Sequence, residues 1–383
     1  MKRFVLPLLL TVYSVCLFAA PVNFRLVRES GRTALVGNGA DADVMCVFDN
    51  EVSSLENMPQ ELRSFLETYA AVSDRDADEA FVSFRADNTD TIGPLLGSIE
   101  YDQGTPYNDL CPVLNGARAV SGCVATAMAQ VMRYWQYPAV GTGTAVYTSS
   151  NGAATYDFTK HPFAWSDMLE TYTVSRFGGT TNYNADQATA VAELMLACGA
   201  SVNMDYDAAG SGSYISHAYI ALRDNFNYSS DIRYLESDNP DWDDWAEALR
   251  DQFDRKLPIL YGGISTSGGH AFVLDGYYIE TLASGNTRTR FHVNWGWNGL
   301  YNGWFLLPKL QPENNDNYSN LNQRIVINIY PKGYVGVENV EGSSEWQGID
   351  YSRPVYNVLG VPAAAHDMVK GNIYIQDGHK FVY

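Results

Sequence analysis

A cysteine stands near the front of "SGCVATAMAQVMRYW", residues 121–135, directly after a glycine. If a helix begins there, Val124, Ala127, Met128, Val131 and Trp135 share one face and Cys123 falls in the first turn. The free amides of that turn and the helix dipole favour thiolate over thiol, which makes a nucleophile. Gly122 lets another backbone, such as a bound peptide, come close to the sulfur. The plain alternative is a small buried hydrophobe, a common fate of free cysteine. The helix alone does not separate the two.

A thiolate nucleophile needs a base, and the chain has six histidines. His161 precedes a proline in a loop, His217 sits on a helix face, His292 is inside a strand, and His366 and His379 are in the tail. His270 is placed differently. "STSGGHAFVLDGYY" puts it at the start of a strand after two glycines, where slack backbone can aim an imidazole across a cleft. It lies 147 residues after Cys123, within the range of papain-type Cys and His pairs. The next segment, "FHVNWGWNGLYNGWF", supplies Asn294 and Trp295 on a strand expected to pair with that of His270. An amide oxygen accepting the second ring N–H would fix the tautomer, and an indole would shield the contact from water. Taken singly, Trp295, Trp297 and Trp304 also read as core aromatics.

These residues need a scaffold. The Cys123 helix is expected to end at Pro138, "ADQATAVAELMLACG" to form a helix closed by Gly199, and "WDDWAEALRDQFDRKL" another closed by Pro258. "PILYGGI", "HAFVLDGYYIE", "RFHVNWGW" and "QRIVINIY" read as strands. Helices first and antiparallel strands after is an α+β plan, with a cleft between two halves. Residues 20–50 are weakly patterned. "SLENMPQELRSFLETYAAV" carries a helical stripe, and "SDRDADEAFVSFRADNTD" reads as an exposed connector with a domain boundary near 75–92.

The quoted blocks, with "LLGSIEYDQGTPYNDLCP" and "LMLACGASVNMDYDAAGSGS", resemble in order the streptopain family of secreted cysteine endopeptidases over residues 94–330. The resemblance implies a papain-like fold of two subdomains, a helical left half and an antiparallel β right half, with the active site between them. It implies Cys123 as nucleophile, His270 as general base and acid, and Asn294 and Trp295 as supports for His270. It further implies a zymogen whose N-terminal segment blocks the cleft. The expected division is a signal peptide at 1–19, a propeptide at 20–88, a peptidase domain at 89–332 and a C-terminal segment at 333–383. That last segment, with "VYNVLG" and "KGNIYIQDGHKFVY", resembles sorting segments that attach secreted proteins to the cell surface; the plain alternative is an accessory β hairpin.

One position departs from the pattern. Papain-type enzymes place a glutamine about six residues before the nucleophile to help hold the oxyanion, and here that residue is Ala117. Asn115 and Arg118 are the nearby polar substitutes. The departure keeps two other readings in play: a catalytically impaired homologue that binds or inhibits proteins, and an acyl transferase of transglutaminase type.

Composition sets the remaining bounds. A net charge of −19 repels nucleic-acid phosphates and anionic lipid, so neither nucleic acid nor membrane is an expected partner. The expected partners are protein or peptide substrates and the chain's own propeptide. Lys2 and Arg3 before a short apolar run ending in Ala19 and Ala20 read as a secretory signal, hence an extracellular protein. Beyond Cys16 the four cysteines, 46, 111, 123 and 198, are too few for a disulfide framework and show no CxxC pair, though a Cys111–Cys198 bond is left open. The chemistry needs no metal or organic cofactor.

Overall fold

In the computed structural model, helix α1 (Cys123–Trp135) is buried on almost every side, and of its residues only Cys123 and Arg133 keep partial exposure. A single apolar stripe was expected; a helix apolar nearly all round is instead a central one. Residues 24–29, 32–37, 44–52, 58–60, 62–63, 91–173, 180–237, 242–265, 268–281, 287–306, 323–334, 353–357, 362–363, 373–376 and 379–382 are described. The expected signal segment and most of the expected helix after Ser54 lie outside them.

Helices α2 (Ala185–Ser201) and α3 (Ile215–Asp224) pack against α1 to form the helical half, and α4 (Trp242–Asp254) packs on the sheet. Helix α2 starts with a reciprocal cap between Asn184 and Gln187. It runs two residues past Gly199, which was expected to close it. A side chain at Gly199 would collide with the Tyr206 hydroxyl, so this glycine serves packing rather than termination. No described helix is long and apolar enough to cross a membrane.

The strands in chain order are β1 (Phe24–Glu29), β2 (Arg32–Gly37), β3 (Val44–Phe48), β4 (Thr91–Ile92), β5 (Val113–Leu114), β6 (Ala117–Arg118), β7 (Thr144–Ser149) and β8 (Gly152–Asp157). They continue as β9 (Arg233–Ser237), β10 (Ile259–Ser265), β11 (Gly268–Thr281), β12 (Thr287–Asn294), β13 (Gly303–Phe305) and β14 (Gln323–Ile327). One ten-stranded sheet has the order β1-β2-β3-β13-β12-β11-β10-β14-β9, with β4 on β11. The β half is therefore antiparallel around β11 and β12, as the strand-like runs implied. Residues 24–29, 32–37 and 44–48, in a stretch read as weakly patterned, form three strands that extend this sheet.

Two apolar clusters follow the two halves. One surrounds α1, α2 and α3; the other lies under the sheet around Phe291, Val293 and Trp295. The tail forms a separate antiparallel sheet of β15 (Val355–Asn357), β16 (Pro362–Ala363), β17 (Ile373–Gln376) and β18 (His379–Val382), more than a single hairpin. Cys111 and Cys198 are both free and buried, and the Cys198 thiol lies 3.6 Å from the Met132 sulfur.

Candidate active site

Gly122 sets the start of α1. Its φ of 87° is a left-handed value that other residues rarely adopt, and a Cβ there would stand 2.7 Å from the Met204 sulfur. The Thr126 amide and hydroxyl both donate to the Gly122 carbonyl, each at 3.0 Å, and Ser121 Oγ lies 3.2 Å from Thr126 Oγ1. This small polar knot fixes the turn that presents Cys123. Gly122→Ala is expected to lower stability by about 1 to 3 kcal/mol, read as a fall in Tm, and to depress activity with it.

Strand β11 brings His270 to the sulfur. It pairs with β10, His270 opposite Gly263, and with β12, Val273 opposite Asn294. The strand begins at Gly268, so His270 is its third residue rather than its first. Both Cys123 and His270 are half-buried. Burial pushes the Cys123 thiol up. The His270 hydrogen bond and charge, with the Ala271 and Val124 N–H groups, outweigh it and hold the thiol below its ordinary value. Alkylation by iodoacetamide is therefore expected to inflect below the free-thiol pH of about 8.5, and His270→Ala should move that inflection upward.

The orientation of the imidazole differs in one respect from expectation. His270 Nε2 lies 2.9 Å from the main-chain carbonyl of Trp295. A carbonyl only accepts, so Nε2 carries the proton and Nδ1 is the nitrogen left for Cys123. The Asn294 amide is not that acceptor. Its Nδ2 donates to the Ile99 carbonyl at 2.8 Å and its Oδ1 accepts from Gly296 N at 3.1 Å. At the end of β12 it ties the sheet to the segment before α1 and shapes the turn that carries Trp295. The physical reason is that both ends of the Asn294 amide are taken up by Ile99 and Gly296, and the acceptor for Nε2 is a peptide oxygen instead.

Aromatic cover comes from two indoles. Trp297 stacks on His270 with centroids 4.7 Å apart, and Trp295 stacks on Trp297 at 5.4 Å. Trp297 read only as a core aromatic in the sequence. Asn302 was missed altogether: buried, it accepts from Trp295 N through Oδ1 at 3.0 Å and so holds the peptide that follows Asn294.

The residues near the missing oxyanion glutamine are also resolved. Asn115, Ala117 and Arg118 belong to an exposed β5–β6 hairpin, and Arg118 Nη1 is bound to the Cys111 carbonyl at 2.8 Å. Gln103 comes close instead: its carbonyl accepts from Ser121 N at 3.1 Å, two residues before the nucleophile.

The peptidase C10 family model matches residues 101–305, which hold Gln103, Cys123, His270, Asn294, Trp295, Trp297 and Asn302. The chain belongs to the peptidase C10 family. Among C10 relatives, streptopain of Streptococcus pyogenes is 33% identical over 278 residues, covering 67% of this chain and 66% of streptopain. The thiol protease/hemagglutinin PrtT of Porphyromonas gingivalis is 32% identical over 297 residues, covering 72% of this chain and 33% of that protein. Among solved structures, a fragment of Prevotella intermedia prointerpain A superposes with a TM-score of 0.63 at 26% identity, covering 81% of this chain and 99% of the fragment. Active interpain A, a cysteine protease of the same organism, gives 0.51 at 30% identity, covering 66% of this chain and all of that one. The papain-like α+β fold expected of a C10 chain is thus the fold found.

Proposed function

We propose that the chain is a secreted cysteine endopeptidase made as a zymogen, in which Cys123 is the nucleophile and His270 the acid–base. The observation that carries this is the hydrogen bond between the two side chains, with His270 turned by the Trp295 carbonyl. The Cys123 thiolate attacks a peptide carbonyl carbon, and the proton on His270 Nδ1 passes to the leaving amine as the C–N bond breaks. The same nitrogen then takes a proton from water, whose oxygen displaces the sulfur from the acyl-enzyme. Asn294 and Trp295 act as positioning residues, Trp295 through its carbonyl and Asn294 through the turn.

Gln103 is the proposed source of the side-chain donor to the oxyanion, beside the Cys123 N–H. Its main chain is bonded next to the nucleophile, whereas Asn115 and Arg118 are exposed. Residues 20–88 are proposed as the prosegment, since prointerpain A covers more of this chain than active interpain A does. Export through residues 1–19 and surface attachment through 333–383 complete the reading. Casein hydrolysis under reducing conditions, beside a Cys123→Ala twin with intact mass followed over time, tests it. Activity and loss of the N-terminal segment in the parent alone is the expected outcome; equal hydrolysis by the twin overturns it.

A further inference from the structure

The described residues of the N-terminal segment meet the catalytic domain through backbone, apolar and ionic contacts around β3. Strand β3 runs antiparallel to β13, with Phe48 opposite Gly303 and Cys46 opposite Phe305. A Cβ on Gly303 would stand 2.2 Å from the Val47 oxygen, so the edge accepts this strand only because position 303 is bare. Leu35, Cys46 and Phe48 are fully buried in the same apolar cluster as Phe291 and Phe305.

The ionic contact is a triad around His292, in which His292 and Asp275 are buried and Asp49 is half-buried. Strand β11 bulges between Leu274 and Gly276, and the extra residue, Asp275, sends its Oδ1 to within 2.5 Å of His292 Nδ1. On the other side of the ring, Asp49 Oδ2, one residue beyond β3, lies 2.7 Å from His292 Nε2. A carboxylate at each nitrogen requires a proton on both, so the ring is a cation. Burial works against that charge, but Asp275 and Asp49 outweigh it and carry His292 up to about 10. The other charged groups around it are accounted for. Glu100 faces the cluster with its own carboxyl pushed up by burial and by Asp49, and Arg290 on β12 is paired with Glu280 at 2.8 Å. Trp304 closes the remaining side, edge-on at 4.9 Å.

This triad also touches the catalytic loop. Asp49 N donates to the Asn302 carbonyl at 2.9 Å, and Asn302 is the residue that holds the Trp295 amide.

We propose that His292 and the β13 edge form a docking surface for residues 24–52 of the same chain, with the Asp49–His292 pair as an ionic latch that keeps the segment bound after the connector is cut. The cutting step rests on the zymogen reading above. The latch follows from physics on the page: a departing segment would bare a sheet edge and strip one of two carboxylates from a buried cation, and both oppose release. The sign of its pH dependence is fixed. Asp49 raises His292 in the docked state beyond what Asp275 does alone, so the latch contributes fully while the ring is protonated in both states and is lost as pH rises through the docked value of about 10.

The test uses the full chain carrying Cys123→Ala, with a site for a sequence-specific protease placed at 80–85, cut at pH 7 and run on gel filtration. The N-terminal fragment is expected to co-elute with the catalytic domain. Asp49→Asn, which keeps the shape of the side chain, and His292→Gln should each weaken retention at least tenfold. Retention in the parent should decline from pH 7 to 10, and His292→Gln should abolish that slope. Thermal unfolding of each catalytic domain checks that the variants fold. Separation of the parent fragments at pH 7, or equal retention by folded Asp49→Asn, overturns the proposal. Because cutting is external and Cys123 is absent, inactivity of the unaltered chain on casein would overturn the protease reading without touching this result.

Discussion

Casein hydrolysis is expected to fall by about 10⁴-fold or more in kcat/KM when Cys123 is replaced by alanine, and His270→Ala should come close to the same floor. The two losses should not add, because the groups act as one unit. Without His270 the thiol loses the hydrogen bond and charge that lower its pKa, while burial still raises it. Without Cys123 the imidazole has no nucleophile to serve. A double variant no slower than either single one is the signature of this coupling. Independent, multiplicative losses would show that the two side chains do separate jobs and that the hydrogen bond between them is incidental. The measurement is steady-state hydrolysis of casein by both single variants and the double variant, each checked for folding by thermal unfolding.

Much of this site was legible because its residues carry local signals. A cysteine after a glycine, at the head of an apolar helix, marks a half-buried sulfur at the open end of an otherwise buried element. A histidine after two glycines marks the start of a strand, although the glycines themselves pair and leave His270 third in β11. What was not legible depends on main chain and on distant partners. Any residue has a carbonyl, so the Trp295 oxygen leaves no trace in the sequence, and the chemically apt Asn294 amide drew the assignment instead. Strands β1 to β3 were opaque for another reason. Thr33, Ala34 and Leu35 are all buried in succession, so alternation is lost, and the edge they complete, β13, lies some 250 residues onward. Gly199 shows the limit of a single letter: a helix-ending glycine and a helix-packing glycine look alike until Tyr206 is seen against it.

Gln103→Ala is expected to lower kcat on casein by about 100- to 1000-fold, with KM little changed, the loss typical of one oxyanion donor. The expectation turns on the β5–β6 hairpin. Residues 113–118 form a loop-out between Gln103 and Cys123, so counting six positions back from the nucleophile lands on Ala117 in an exposed hairpin. The chain returns through Ala119 and Ser121, and there Ser121 N bonds the Gln103 carbonyl, restoring in space a neighbour that the sequence places twenty residues off. A donor that acts only as charge gathers on the carbonyl oxygen should affect kcat and spare substrate binding. Gln103→Glu discriminates further, since a carboxylate would repel the oxyanion and should be at least as damaging as alanine. The alkylation rate of Cys123 should stay near that of the parent in both variants, because thiolate formation needs no oxyanion donor. A Gln103→Ala enzyme with parental kcat would return the role to the Cys123 N–H alone; slowed alkylation would mean that Gln103 shapes the thiol instead.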